Sequence, residues 1–154
     1  MSFADPRDFI ASLEKEGDLV RISDPIDVLY EVSAYIRKTS DQQGPAILFE
    51  NIKGHNMPVV GGLFATRRRV LRALGSQDDK LVDLFRQAAD HPIPPVLVKD
   101  APCQEVVMEG ELVDLDRLPF PTYSLQDGGA FITHGIQISK DPETGTRNAG
   151  IYRM

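Results

Sequence analysis

A chain of 154 residues is long enough for one ordinary core, or for one small domain and the beginning of a second. Its 42% hydrophobic and 26% charged residues exclude a disordered chain, and its net charge of −6 excludes broad nucleic-acid binding, which needs a basic surface. No apolar run approaches the ~18 residues of a membrane span, so no membrane span is expected. The single cysteine, Cys103, leaves no disulfide framework and no cysteine-based zinc site within one chain. It is read as a structural residue, and a cytoplasmic location is expected. The opening MSFADPRDF holds no signal-peptide core.

The first element is a helix. Asp5 suits its N-cap, Pro6 its first position and Gly17 its C-cap, while Phe9, Ile10 and Leu13 form an apolar stripe. Leu19, Val20, Arg21 and Ile22 read as a short strand. Val28, Val32, Tyr35 and Ile36 recur at helical spacing, which predicts a second helix to about Thr39. Strands are expected over 46–49 and 58–64, separated by a turn over 51–56. Such continuous apolar runs suit strands buried on both faces.

Thr66 can cap a short helix through Leu74, closed by Gly75. Arg67, Arg68 and Arg69 stand in its first turn. Successive helical residues point in different directions and positive charge there opposes the helix dipole, so the run is read as a solvated or subunit-facing surface. A further helix over 78–89 is expected to bury Leu81, Val82, Leu84, Phe85 and Ala88. His91-Pro92-Ile93-Pro94-Pro95 is a linker, because prolines neither continue a helix nor pair in a central strand. Strands are expected at 96–98 and 105–108, followed by a second proline-stiffened connection over 118–123.

The last stretch reads as a hairpin. Residues 130–140 alternate, with Phe131, Thr133, Gly135, Gln137 and Ser139 on one face and Ile132, His134, Ile136 and Ile138 on the other. Asp141-Pro142-Glu143-Thr144-Gly145 supplies a turn, and 148–153 the return strand. There Asn148, Gly150 and Tyr152 share one face and Ile151 and Arg153 the other, unless a bulge at Gly150 re-aims them. Asn148 offers a neutral oxygen suited to a hard divalent metal, and Arg153 a permanent forked charge suited to carboxylate or phosphate. His134 is read as a packed core histidine, His55 as exposed and His91 as a helix end.

Taken together, these motifs resemble the UbiD family of prenylated-flavin-dependent (de)carboxylases. The likeness is carried by Leu118-Pro119-Phe120-Pro121-Thr122, Asp127-Gly128-Gly129, Ile132-Thr133-His134-Gly135 and Asn148-Ala149-Gly150-Ile151-Tyr152-Arg153, in family order and spacing. The N-terminal half is similar too, through DPRDFI, LVRI, PAILFENIKG and PVVGGLFATRRRVLRALG. The resemblance implies an α/β (α+β) chain: an N-terminal α/β domain over 1–92, then the start of a split β-barrel flavin-binding domain over 96–154.

It also implies reversible, non-oxidative decarboxylation of an aromatic or α,β-unsaturated carboxylic acid with prenylated FMN, Mn2+ or another divalent metal, and K+. On that pattern Asn148 is a metal ligand, Asn148, Thr133, Ile151, Tyr152 and Arg153 surround the cofactor, and Arg153 is catalytic. The implied partners are the acid substrate, a flavin prenyltransferase that supplies the cofactor, and further copies of the chain in a homo-oligomer. Family members are longer, and the resemblance places their remaining metal ligands and catalytic carboxylates beyond Met154. The chain is therefore expected to be a fragment that is inactive by itself. The competing expectation is a non-catalytic module that donates half a cofactor site, or an assembly surface, to another chain.

Overall fold

Asp5 opens the first helix as its sequence predicts, with its carboxylate accepting hydrogen bonds from the amides of Arg7 (2.7 Å) and Asp8 (3.3 Å). The computed structural model describes residues 3–154. Helix α1 runs Pro6–Lys15 and ends in a Schellman closure. The Gly17 amide donates to the Glu14 carbonyl and the Asp18 amide to the Leu13 carbonyl, with Gly17 at φ +70°. Strand β1, Leu19–Ile22, follows directly.

The second helix starts later than its periodicity predicts. Helix α2 is Glu31–Asp41, and residues 28–30 are not helical. The Asp27 carboxylate accepts from the Leu29 amide, and Tyr30 takes a left-handed conformation at φ 70°, ψ −28°. These residues pair with the chain around Thr122 rather than joining the helix, so a tertiary contact overrides the apolar spacing.

Strand β2, Ala46–Phe49, lies parallel to β1 and antiparallel to β3, Val59–Gly61, giving the order β1-β2-β3. β3 is shorter than the expected strand because Gly62 turns the chain at φ +73°. Apolar side chains on both faces of β2 explain its unbroken apolar run. Ile47 and Phe49 join Ile26, Val32 and Ile52 in one cluster, and Ala46 joins Phe9, Leu13 and Leu19 in the other. Burying a side chain such as Leu13, Val32 or Phe49 contributes roughly 1.5–3 kcal/mol. α2 packs so closely on β3 that a Cβ at Gly61 would stand 2.3 Å from Ile36 Cδ1.

Helix α3, Arg67–Leu74, is capped by Thr66 and closed by Gly75 at φ 60°. Its arginines correct the surface reading. Arg69 is 1% exposed. Its Nη1 donates to Asp18 Oδ1 and to the Gly44 carbonyl, both at 2.9 Å, while exposed Arg68 reaches Asp18 Oδ2 at 2.8 Å. α3 therefore points one arginine inward, where an acid left by the α1 closure receives it.

Helix α4, Leu81–Asp90, follows a short 3-10 turn and ends at His91, as expected. Its apolar face is only partly covered: Leu81 and Leu84 are half-buried, while Val82 and Phe85 are 69% and 60% exposed. The strands expected at 96–98 and 105–108 do not form, since among the described residues neither has a ladder partner. Residues 92–98 run irregularly, and 3-10 turns occupy Pro102–Gln104, Gly110–Leu112 and Leu115–Arg117. Cys103 is exposed on the first of these turns, not buried as a structural residue. Strands β4, Ile136–Lys140, and β5, Arg147–Ile151, form the terminal hairpin. Mixed helices and sheets make this an α+β chain, as the sequence implies. No helix among the described residues is long and apolar enough to cross a membrane.

Candidate functional site

The hairpin register carries the geometry. Ser139 stands opposite Asn148, Gln137 opposite Gly150 and Ile136 opposite Ile151. The Tyr152 amide donates to the Gly135 carbonyl, which keeps that register one step further. Beyond it the pairing slips. Ile132 and Met154 exchange both backbone hydrogen bonds, at 2.8 and 3.3 Å, where regular pairing would set Thr133 opposite Met154. One extra residue is therefore accommodated around Thr133 and His134, a bulge on the outgoing strand rather than at Gly150.

The slip changes which side chains share a face. Regular alternation would put Phe131 on the side away from Arg153. With one residue added, Phe131 crosses to the Arg153 side, and Ile132 joins Gly135 and Met154 on the other. The Arg153 guanidinium carbon then lies 4.7 Å from the centre of the Phe131 ring. The Phe131 ring meets Tyr123 at 4.7 Å, and the Tyr123 hydroxyl is 3.1 Å from Thr133 Oγ1. Two predicted site residues, Thr133 and Arg153, are thus drawn together through Tyr123 and Phe131, which sequence reasoning did not assign to the site.

Asn148 on β5 and Tyr152 just beyond its end are on the opposite face, both exposed. The Tyr152 ring folds back over Gly150, where an added Cβ would come within 2.4 Å of it. Gly150 is therefore required for the observed ring position. Ile151 is exposed beside Ile136 and forms an apolar face with Ile138. His134 is not a buried core residue. The bulge carries it to the surface, where its ring lies tilted on Phe64 at 5.4 Å, and Phe64 in turn stacks on Phe9 of α1 at 5.8 Å.

The residues present fit part of a cofactor and metal site. Asn148 offers a free-standing hard oxygen on a paired strand, Gly150 a bare backbone face and Arg153 a fixed positive charge. Among the described residues no group of three or more His, Cys, Asp or Glu could hold a metal, and no carboxylate pairs with Arg153. One neutral amide ligand needs anionic partners to hold a divalent ion. A cavity of about 420 Å³ lies elsewhere, lined mainly by Met57, Met108, Val113 and Leu115. It also includes His55, whose Nδ1 is 3.4 Å from the Arg117 carbonyl, so His55 is half-buried rather than exposed. None of the predicted site residues lines this cavity.

Residues 10–89 match the family model for the 3-octaprenyl-4-hydroxybenzoate carboxy-lyase N-terminal domain, and 96–154 match that for the Rift-related domain of the same enzyme. The chain belongs to the UbiD family. It is similar to an evolved dimeric form of the UbiD-class enzyme HmfF from Pelotomaculum thermopropionicum, solved with prFMN. The identity is 33% and the TM-score 0.89, over 96% of this chain and 34% of that one. It is also similar to the vanillic acid decarboxylase of Sedimentibacter hydroxybenzoicus in its closed form (30% identity, TM-score 0.89, 99% of this chain and 35% of that one). A third match is the apo 3,4-dihydroxybenzoic acid decarboxylase of Enterobacter cloacae (30%, TM-score 0.87, 99% and 35%). The chain thus spans about a third of the length of the solved enzymes it matches.

Proposed function

We propose that this chain supplies one wall of a prenylated-FMN-dependent decarboxylase acting on an aromatic or α,β-unsaturated carboxylic acid. The observation that carries the reading is β5 with Asn148 and Gly150, followed directly by Tyr152 and Arg153, in a chain that matches a prFMN-bound relative over 96% of its length. Residues 1–92 are the N-terminal domain on this reading, and 96–154 the beginning of the flavin-binding barrel.

The roles follow from the chemistry of each side chain. The Arg153 guanidinium orients the substrate carboxylate through two parallel N–H···O bonds and holds a neighbouring carboxylate ionised. Asn148 gives its side-chain oxygen to Mn2+ or another divalent ion, with K+ alongside. Thr133, Ile151 and Tyr152 line the flavin. Prenylated FMN, when bound, supplies the electron sink for the carbon that loses CO2. The anionic metal ligands and the proton-donating carboxyl group come from outside the described residues, so this chain alone does not turn over. The natural setting is a cytoplasmic homo-oligomer whose cofactor comes from a flavin prenyltransferase.

The test uses the protein expressed from its complete reading frame with a flavin prenyltransferase. We expect CO2 release from at least one acid in a panel of aromatic and α,β-unsaturated carboxylic acids. Arg153→Ala and Asn148→Ala should each lower kcat by about 10²–10³, the scale of losing one preorganised charged or polar group. Full turnover in both variants would sink the assignment.

A further inference from the structure

We infer that Phe131, backed by Tyr123, is the positioning residue for Arg153, and that the N-terminal half of the chain sets this pair through the start of α2. Arginine on a strand end has many rotamers, and only a few aim its charge in any one direction. A ring face 4.7 Å from the guanidinium carbon selects among them by cation–π attraction. Phe131 reaches that place because of the bulge at Thr133 and His134, which moves it to the Arg153 face. The bulge has its own fastenings. The Tyr123 hydroxyl bonds Thr133 Oγ1 at 3.1 Å, and the Phe131 amide donates to the Pro121 carbonyl at 3.3 Å.

Tyr123 is itself held from the other half of the chain. Buried Ser33, in the first turn of α2, has its hydroxyl 2.8 Å from the Tyr30 carbonyl and 3.1 Å from the Tyr123 carbonyl, two acceptors that share one proton and join the two segments. The Tyr30 amide donates to the Thr122 carbonyl at 3.2 Å, and the Thr122 amide to the Val28 carbonyl at 3.1 Å. Tyr30 keeps its left-handed conformation at this junction although it carries a full side chain. Such a conformation persists only where its surroundings fix it. Pro119 and Pro121, both buried, stiffen the segment that connects Tyr30 and Ser33 to Tyr123. The path runs from α2 through a rigid connection and two rings in tilted contact to one guanidinium.

The catalytic consequence rests on the function proposed above, whereas the positioning does not. The test therefore has two arms. In the first, NMR of this chain reads the Arg153 side-chain protons, which the Phe131 ring current should move upfield. Phe131→Leu should abolish the shift, Phe131→Tyr should keep it, and Ser33→Ala should reduce it. An Arg153 shift that survives Phe131→Leu, or that is absent from the unsubstituted chain, overturns the proposal. In the second arm, the complete holoenzyme carrying Phe131→Leu should lose roughly 10–100-fold in kcat, the scale of a misplaced reacting group. Its flavin content should be unchanged, and Phe131→Tyr should restore the rate. Full turnover by a Phe131→Leu enzyme that has lost the shift overturns the catalytic part. A shift that behaves as expected in a protein without turnover supports the positioning and overturns the proposed function instead.

Discussion

At the scale of single residues, Asp18 and Arg69 form a buried ion pair. Arg69 is 1% exposed, and its Nε and Nη2 are buried without a hydrogen-bond partner, so its charge is compensated by Asp18 Oδ1 and the Gly44 carbonyl at Nη1 alone. Removing the carboxylate would strand that charge. Asp18→Ala should cost about 3–5 kcal/mol, as for one partner lost from a buried pair. Arg68→Ala removes the other ion pair to the same carboxylate, but from a side chain 71% exposed, and should cost less than about 1 kcal/mol. Urea unfolding would check both, since the midpoint should move while the slope does not. Equal costs would refute the distinction. The sequence shows the arginine run but not this outcome. Helix spacing says that three successive arginines diverge, while which of them turns inward depends on where the α1 closure leaves Asp18.

At the scale of elements, the hairpin loop is legible and the strand before it is not. Asp141-Pro142-Glu143-Thr144-Gly145 reads as a turn, and the structure gives a reason for Asp141, Glu143, Thr144 and Gly145. Asp141 Oδ1 accepts from the amides of Glu143 and Thr144, both at 2.8 Å, and Gly145 takes φ +74°. These bonds, chiefly that from Thr144, hold the Asp141 carboxyl below its ordinary value of 3.8. A depressed folded value means that the loop gains stability from Asp141 above pH 3.8, and loses it as pH falls through the lower folded value. The Glu143 and Thr144 amide shifts should titrate together with a midpoint below 3.8, and Asp141→Ala should remove the titration. A midpoint at or above the ordinary value would contradict the loop geometry. The bulge at Thr133 and His134 left no comparable trace. An inserted residue changes neither composition nor apolar spacing, so alternation put Phe131 on the wrong face and hid its contact with Arg153. The late start of α2 was hidden for the same kind of reason, because Val28 fits the helical stripe and is diverted by pairing with Thr122.

At the scale of the whole molecule, burial divides the chain unevenly. Both core clusters draw only on residues from the first half, and β2 lies between them. Segments 96–98 and 105–108 have strand-like composition, but a strand is stable only with a partner, and composition does not say whether one is present. Ile93, Val96 and Leu97 are 91%, 85% and 85% exposed, so nothing apolar offsets the entropy of ordering this segment. The hairpin is tied to the core at a few points: the Phe64–His134 ring contact, the Leu29 bridge to Thr122 and the Ser33 bond to Tyr123. Local opening free energy follows buried apolar contact and protected backbone pairing. Amide hydrogen exchange of this chain should therefore show three tiers. Ile47, Leu48 and Phe49 should exchange slowest, at the rate of global unfolding. The β4 and β5 amides should exchange faster, because their pairing can open while β1, β2 and β3 stay packed. Val96, Leu97 and Val98 should exchange at nearly the rate of an unfolded chain. Protection at Leu97 equal to that at Ile47 would mean the segment is paired, and would overturn the division. Ser33→Ala should speed exchange at Ile136 and Ile151 without changing Ile47, because it cuts a tie between the hairpin and α2 while leaving both core clusters intact.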